Sequence, residues 1–440
     1  FTQLAYRKSL NDYKFETKAN FSHRELDVSA NIYSIDAIAS RFAIVGIDMQ
    51  EGFFYNEKSA EQNYEFESNV RLPKIMSNDI LLGAGLHYAI VRKDEFYSSV
   101  EDTILLNRDA ILAHPNYDSF RYRESKEPAF WADQTRSLLQ HDRSRTDLYA
   151  YAQDLISLSD AVDMTLGARL DNYSDFGAQL SKQAGVVYRA SDAWIFKLLY
   201  GSAFRAPTFI EAYQTGHINF RAGDENIEPE ETNTYEAVAI YTPNFYNRFS
   251  LNVYYSELKN VIDLEELSGT YPGYQNFDSR LSRGVEFEYN FKTKLEHNLY
   301  LNASYVDAGY TFPDEGEDAP AFNAAMPDIS TVMLKAMYIY KPTNKLSFGT
   351  TWRYFSQTTA TELAWVAEEV AAGDYESSAK ASSVFDETIT YRFSPSDEVR
   401  GTIKNIFNED VRMPSYYYYT ADGGIQREGR NWFVSYIHRF

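Results

Sequence analysis

Connections of two alternating lengths constrain this chain more than any other feature of its sequence. Short, turn-like connections recur at Ala190-Ser-Asp192, Thr242-Pro-Asn-Phe-Tyr-Asn247, Lys341-Pro-Thr-Asn344 and Ser394-Pro-Ser-Asp397. They carry Pro, Asn, Asp and Ser where tight turns need them. Between them lie long polar segments, 98–142, 205–231, 259–279, 312–328, 359–379 and 410–428. The stretches they separate read as strands near 24–35, 41–55, 61–73, 80–97, 143–157, 160–171, 176–189, 193–204 and 232–243. The series continues near 247–258, 280–291, 296–311, 329–341, 345–358, 380–393, 398–409 and 429–440, with room for one more strand inside 1–23. Strands joined this way place short turns on one rim and long loops on the other. That is an all-β, transmembrane antiparallel barrel of outer-membrane type, its long loops extracellular. A soluble sandwich has no reason to sort its loops by length.

The last ten residues, Asn431-Trp-Phe-Val-Ser-Tyr-Ile-His-Arg-Phe440, agree. Trp432, Val434, Tyr436 and Phe440 fall on one face of an extended chain, with a mixed set on the other. This ending resembles the terminal-Phe strand common to bacterial outer-membrane proteins. One departure is His438, a polar residue on the apolar face. Thirty-six Tyr and twenty-nine Phe supply aromatic girdles at two membrane interfaces. Mean hydropathy is only -0.46, and no apolar run reaches the eighteen residues of a spanning helix. The combination suits a barrel, in which lipid-facing and lumen-facing residues alternate.

The chain carries little catalytic chemistry. It has no cysteine, which excludes thiolate metal sites, disulfides and cysteine nucleophiles. The seven histidines are scattered, and neither G-x-S-x-G, H-E-x-x-H nor a Gly-rich phosphate loop occurs. No enzymatic activity is expected. The formal charge of -21 disfavours nucleic acid as a partner. Acidic loops suit a lipopolysaccharide leaflet bridged by divalent cations, although a solvated acidic surface explains them as well. Asp314, Glu315, Glu317 and Asp318 have Ca²⁺ chemistry but match no calcium-loop spacing, so solvated charge is the favoured reading. Residues 363–372 have helical periodicity, and Tyr416–Tyr419 form an aromatic patch suited equally to ligand stacking or to the membrane interface.

Several motifs then fall in order. Phe204-Arg205-Ala206-Pro207 ends a strand and opens a long loop. Ile227-Glu-Pro229-Glu230-Glu231 and Tyr235-Glu236 follow. Gly167-Ala-Arg-Leu-Asp171 precedes them, and Arg283-Gly-Val-Glu286, Lys404-Asn-Ile-Phe-Asn408 and Gly429-Arg430 come after. Each is weak alone. Together with Phe440 the series resembles the TonB-dependent outer-membrane receptors over roughly 140–440.

The resemblance implies a 22-stranded barrel that imports a ferric siderophore, haem, cobalamin or similar scarce nutrient. It implies a plug domain driven by the TonB-ExbB-ExbD system. About seventeen or eighteen strands are visible, with no plug and no TonB box. The expectation is that 1–440 is one barrel whose plug and first strands belong to an N-terminal part outside this sequence. Tyr213, His217, Phe220 and Arg221 lie in the loop between the two boxes and are the candidate ligand contacts. Ferric-chelate uptake is the expected function. The alternatives are a haem receptor using His217 as an imidazole ligand and a plugless passive barrel. No resident metal or cofactor is expected beyond the transported chelate.

Overall fold

The computed structural model describes residues 1–33, 53–98, 143–214, 223–265, 273–293, 296–311, 324–325, 329–358, 379–413 and 425–439. The strands are β1 (Thr2–Leu10), β2 (Tyr13–Tyr33), β3 (Phe53–Arg71), β4 (Asn78–Ser98), β5 (Ser144–Ser159), β6 (Val162–Tyr173), β7 (Gly177–Arg189) and β8 (Trp194–Arg205). A short helix, α1 (Phe209–Tyr213), follows β8. Then come β9 (Glu230–Asn244), β10 (Asn247–Glu265), β11 (Gly273–Lys292), β12 (His297–Thr311), β13 (Ala324–Ala325), β14 (Val332–Tyr340), β15 (Leu346–Phe355) and β16 (Ser382–Arg392). The chain ends with β17 (Asp397–Lys404), β18 (Arg412–Met413), β19 (Ile425–Gln426) and β20 (Asn431–His438). No helix of the described residues is long and apolar enough to cross a membrane.

Eighteen strands form one sheet, and the pairing is antiparallel throughout. It is a meander, in which each long strand pairs with the next from β1 to β12, and then through β14, β15, β16 and β17 to β20. In lipid this ladder is obligatory, because unpaired backbone groups find no water. Short turns join β1–β2, β3–β4, β5–β6, β7–β8, β9–β10, β11–β12, β14–β15 and β16–β17 on one rim. Longer connections lie on the other rim, except the tight β6–β7 turn. The sorting of loops expected from sequence is therefore present. β1 and β20 have one partner each among the described residues, β2 and β17, and both run toward the short-turn rim.

The register separates two faces. On one, Trp194, Tyr241, Phe249 and Tyr289 stand in line across β8 to β11. Their ring centroids are 4.4, 6.1 and 4.6 Å apart. A second aromatic row, Tyr200, Tyr235 and Tyr255, has centroids at 5.0 and 6.4 Å. From Trp194 to Tyr200 is about 20 Å along a strand. Phe196, Leu198, Leu251, Val253, Val285 and Phe287 lie between the rows on the same face. This is an apolar band between two girdles, the lipid face of a barrel wall. Glu387 departs from it. It sits on this face between Phe385 and Ile389 and accepts a 2.6 Å bond from the Thr350 hydroxyl.

The opposite, lumenal face is polar. On β3–β6 it carries Glu65, Glu67, His87, Asp147, Arg169 and Asp171. Tyr149 and Tyr151 lie across the β4 glycines. A Cβ on Gly85 would stand 2.3 Å from Tyr149 Cζ, and one on Gly83 would stand 2.2 Å from Tyr151 Cζ. The rings reach over β4 to β3, where the Tyr149 hydroxyl donates to Glu67 at 3.1 Å and the Tyr151 hydroxyl donates to Glu67 at 3.2 Å. Arg169 caps Tyr149 at 3.7 Å from its centroid.

Three sequence expectations are corrected. Residues 53–55 and 61–71 belong to one strand, β3, because the nearly all-polar run 56–63 hides the apolar alternation while the pairing with β2 and β4 continues through it. The 398–409 strand stops at Lys404. Asn405 and Asn408 adopt φ of 50° and 55°, and the Asn405 side chain bonds Glu409 through both its amide atoms, so the Asn-Ile-Phe-Asn box is a turn. The loop read at 259–279 is largely strand, since β10 and β11 stay paired up to Glu265 and Gly273. One strand inside 1–23 was anticipated, and β1 is that strand. The segments around 314–318, 363–372 and 416–419, and most of 41–55, lie outside the described residues.

Gly85→Val should displace the Tyr149 ring and cost about 1–3 kcal/mol, as overpacking does. Urea unfolding of the micelle-embedded protein should show a lowered midpoint. An unchanged midpoint would mean the ring does not need the glycine.

Candidate functional site

The long loop after β8 is rooted by a lattice of charges and by a narrow neck. β8 delivers Arg205 at its end, in register with Glu230 at the start of β9. Arg205 Nε donates to Glu230 Oε2 at 2.6 Å, and its Nη1 donates to Glu211 Oε2 at 2.9 Å. Glu230 is buried, and its other oxygen accepts the Ile262 backbone N–H at 2.8 Å. One guanidinium thus ties β8, α1, β9 and β10 together.

The sequence Thr208-x-x-Glu211 forms a capping box. Glu211 N donates to Thr208 Oγ1 at 3.1 Å, and Thr208 N donates to Glu211 Oε2 at 2.7 Å. Pro207 is fully buried, and its carbonyl accepts from Arg145 Nη1 at 2.6 Å. Arg145, buried at the start of β5, also donates to Asp175 Oδ2 at 2.7 Å. It lies 5.1 Å from the Phe176 ring centroid and 5.0 Å from that of Phe209. Burying a guanidinium is costly unless such partners surround it.

The loop then closes on itself. Gly223 N donates to Gln214 O at 2.8 Å, and Asp224 N donates to Glu211 O at 3.0 Å. A Cβ on Gly223 would stand 2.6 Å from Gln214 N and 2.7 Å from Tyr213 N, so only glycine allows this approach. Ala212, Ile227 and Ile262 form a small buried cluster, with Tyr213 and Tyr274 packed against it. Asn276 on β11 clamps the returning strand: it accepts from Glu228 N at 2.7 Å and donates to Glu228 O at 2.9 Å.

The candidate ligand residues divide. Tyr213 closes the neck from inside. Its hydroxyl donates to Asp175 at 3.2 Å, and the Arg143 guanidinium lies 4.3 Å from its ring centroid. Burial raises the Tyr213 phenol above its usual range, and Asp175 adds to this. His217, Phe220 and Arg221 lie outside the described residues, between Gln214 and Gly223 in sequence. Of the motif residues, Arg205, Pro207 and Glu230 build the root, and Pro229 is buried beside it. The Phe204 ring stands edge-on to Tyr173, with centroids 5.8 Å apart. Phe440 lies outside the described residues. His438, the departure on the terminal strand, pairs with Asp397 Oδ1 at 2.7 Å.

Sequence reasoning overlooked Arg143, Arg145, Asp175, Glu211 and Asn276. The capping-box spacing of Thr208 and Glu211 was a readable local signal. The others come from distant segments and had none. Among the described residues no cluster of His, Asp and Glu could hold a metal ion.

Three comparisons bear on this arrangement. Residues 2–406 match the family model described as TonB dependent receptor-like, beta-barrel. A vitamin B12 transporter, BtuB, from Vibrio cholerae serotype O1 is 27% identical over 165 residues, covering 36% of this chain and 25% of that protein. A mutant ferric enterobactin receptor, PfeA, from Pseudomonas aeruginosa superposes with a TM-score of 0.68 at 13% identity, covering 100% of this chain and 61% of that one. The siderophore receptor PirA from Acinetobacter baumannii superposes with a TM-score of 0.68 at 14% identity, covering 100% and 62%. At these identities the structural matches speak for the fold. The chain spans about a quarter of the curated relative and about three fifths of the solved ones.

Two predictions follow from the neck. Gly223→Ala should loosen the Gln214 clasp and speed proteolytic cleavage within 215–222, read by limited proteolysis and mass spectrometry; an unchanged rate would mean the clasp does not hold the segment. The second concerns pH. Burial pushes the Glu211 carboxyl up, but the Arg205 and Thr208 bonds outweigh it and hold it below the usual carboxylate range. A lowered folded-state pKa contributes stability above the ordinary value of about 4.3, and that stability is lost as pH falls through the lowered one. Cleavage should therefore rise in this acid window for the native chain and not for Glu211→Gln, which is already loosened at neutral pH.

Proposed function

The chain belongs to the TonB-dependent receptor-like β-barrel family and is an outer-membrane barrel, and on that footing we propose that it forms the wall of a receptor that takes up a ferric siderophore or a similar metal chelate. The family and the relatives named above are receptors and transporters, not enzymes. The observation that carries the reading is the rooted neck. It brings Gln214 and Gly223, the described residues on either side of the stretch with His217, Phe220 and Arg221, together beyond the ends of β8 and β9, on the long-loop rim where a dilute solute arrives first. Arg143, with its side chain partly exposed, and the loop residue Arg221 are cations suited to a chelate's carboxylate or catecholate oxygens. Tyr213 and Phe220 offer rings for an aryl group. Catalysis has no part in this. Selective capture by a long anchored loop differs from the open charged constriction of a general porin.

We also infer that the barrel is larger than the sheet described here. Three of the twenty strands are two-residue pieces, which leaves seventeen long ones. β1 and β20 run the same way, so they cannot close an antiparallel barrel against each other. An odd number of further strands must stand between them. The family's twenty-two strands would require five, which is odd. A plug coupled to the TonB system belongs to the same proposal. The seventeen strands, the plug and the added strands would then be parts of one receptor.

The test is growth of a host lacking its own receptors on a single nutrient: a ferric siderophore, haem or cobalamin. Restoration by the intact receptor on ferric siderophore, lost on deleting 215–222, is the expected result. Growth restored on haem alone, and abolished by His217→Ala, would replace the siderophore reading with the haem one. Growth on cobalamin alone would replace both, in keeping with the BtuB relative.

A further inference from the structure

At the short-turn rim, three arginines converge on one carboxylate. Glu398, on β17, is 2% exposed. Its Oε2 accepts from Arg392 Nη2 at 3.2 Å and lies 3.2 Å from Arg439 Nη2, and its Oε1 accepts from Arg400 Nη2 at 3.2 Å. Arg392 stands directly opposite Glu398 in the β16–β17 register, and Ile437 of β20 stands opposite it on the other side. Arg400 follows two residues along β17, on the same face. The alternate face carries Tyr391, Val399 and Tyr436, in line with the lipid-facing aromatics, so Glu398 and its arginines face the lumen. Asp397, the neighbouring carboxylate, does not help to neutralise them. It faces the other way and is held by Ser394, Tyr436 and His438.

The charge does not balance. Among the described residues, three guanidiniums and one carboxylate leave a surplus of two positive charges on a small area of a chain whose formal charge is -21. Glu398 lies beneath, and the three guanidinium side chains are 46%, 43% and 53% exposed. Each arginine has five N–H donors in a planar fork, and the contacts to Glu398 use only part of them. Like charges held this close repel unless an anion joins them. Another arginine on this rim is balanced: Arg189 pairs with Asp163 at 2.7 Å, one to one.

We propose that Arg392, Arg400 and Arg439 form an oxyanion seat at the lumenal lip of the short-turn rim, and that its occupant is an Asp or Glu carboxylate of a polypeptide reaching the lumen from that side. The lumenal position removes lipid headgroups from consideration, because lipid meets the other face. The fork geometry of guanidinium matches a planar carboxylate two bonds at a time. Glu398 pre-orients the three forks and supplies too little charge to satisfy them. The seat goes beyond the receptor reading and does not depend on the nutrient carried.

The test uses the folded chain in detergent micelles and a fluorescein-labelled tetraglutamate peptide as the probe, with inorganic phosphate as competitor. Fluorescence anisotropy should show the Arg392→Gln, Arg400→Gln, Arg439→Gln triple variant binding at least tenfold more weakly than the native chain. Arg189→Gln, at the balanced pair, should bind as the native chain does. Equal binding by the triple variant, or equal loss in Arg189→Gln, overturns the seat. Inorganic phosphate that binds more tightly than the peptide overturns the choice of a carboxylate. If the triple variant does not fold, judged by heat-modifiable gel mobility, the three Arg→Lys substitutions keep the charge and remove the forks. Several-fold weaker peptide binding then supports the seat, and unchanged binding overturns it.

Discussion

Everything in this structure depends on the backbone hydrogen-bond ladder. In hydrocarbon no water satisfies an N–H or C=O, so each strand must pair along its length with the next. From β1 to β20 the described strands do so, at near-continuous register. The ladder fixes which side chains share a face, and the two faces then acquire opposite chemistry. Phe196, Leu198, Val253 and Val285 are tolerated in lipid only because their strand neighbours Lys197, Asn252 and Glu286 point away into the lumen. The same rule allows a local exception when its polar atoms find partners. Glu387 on the lipid face has Thr350, and His438 at its edge has Asp397.

Charge serves three different purposes along this wall. On β3–β6 Arg169, Tyr149 and the acids around them fill the lumenal side over glycines, joining three strands through rings and carboxylates. At the long-loop rim Arg205 meets Glu211 and Glu230, and Arg145 meets Asp175 and the Pro207 carbonyl. Here two guanidiniums meet three carboxylates, and the contacts turn a strand end into a rigid root. At the short-turn rim Glu398 meets three arginines and cannot neutralise them. The first two arrangements are self-contained. The third is not, and its surplus points toward something outside the described wall.

The motif residues mean something different in space than in the sequence. Arg205, Pro207 and Glu230 read as a signature of likeness, and in the structure they are the mechanical root of a loop. Tyr213, a candidate ligand contact, also packs at the neck between Arg143 and Asp175. The Thr208-x-x-Glu211 spacing announced its capping box locally. Arg145 gave no such sign, since its partners Asp175, Phe176, Pro207 and Phe209 lie between thirty and sixty-four residues away.

The sequence by itself determined the architecture: strand alternation, the sorting of turn and loop lengths, the aromatic enrichment and the terminal strand follow from local composition with period two. It misplaced boundaries where local pattern and pairing part company, along the polar run 56–63 of β3, at the left-handed Asn405 and along the β10–β11 hairpin. Tertiary structure alone decided which charges meet. Ion pairs such as Arg145–Asp175, and the meeting of Arg392, Arg400 and Arg439 at Glu398, are set by strand register across the sheet. Register is a property of neighbouring strands together, and no single strand's sequence contains it.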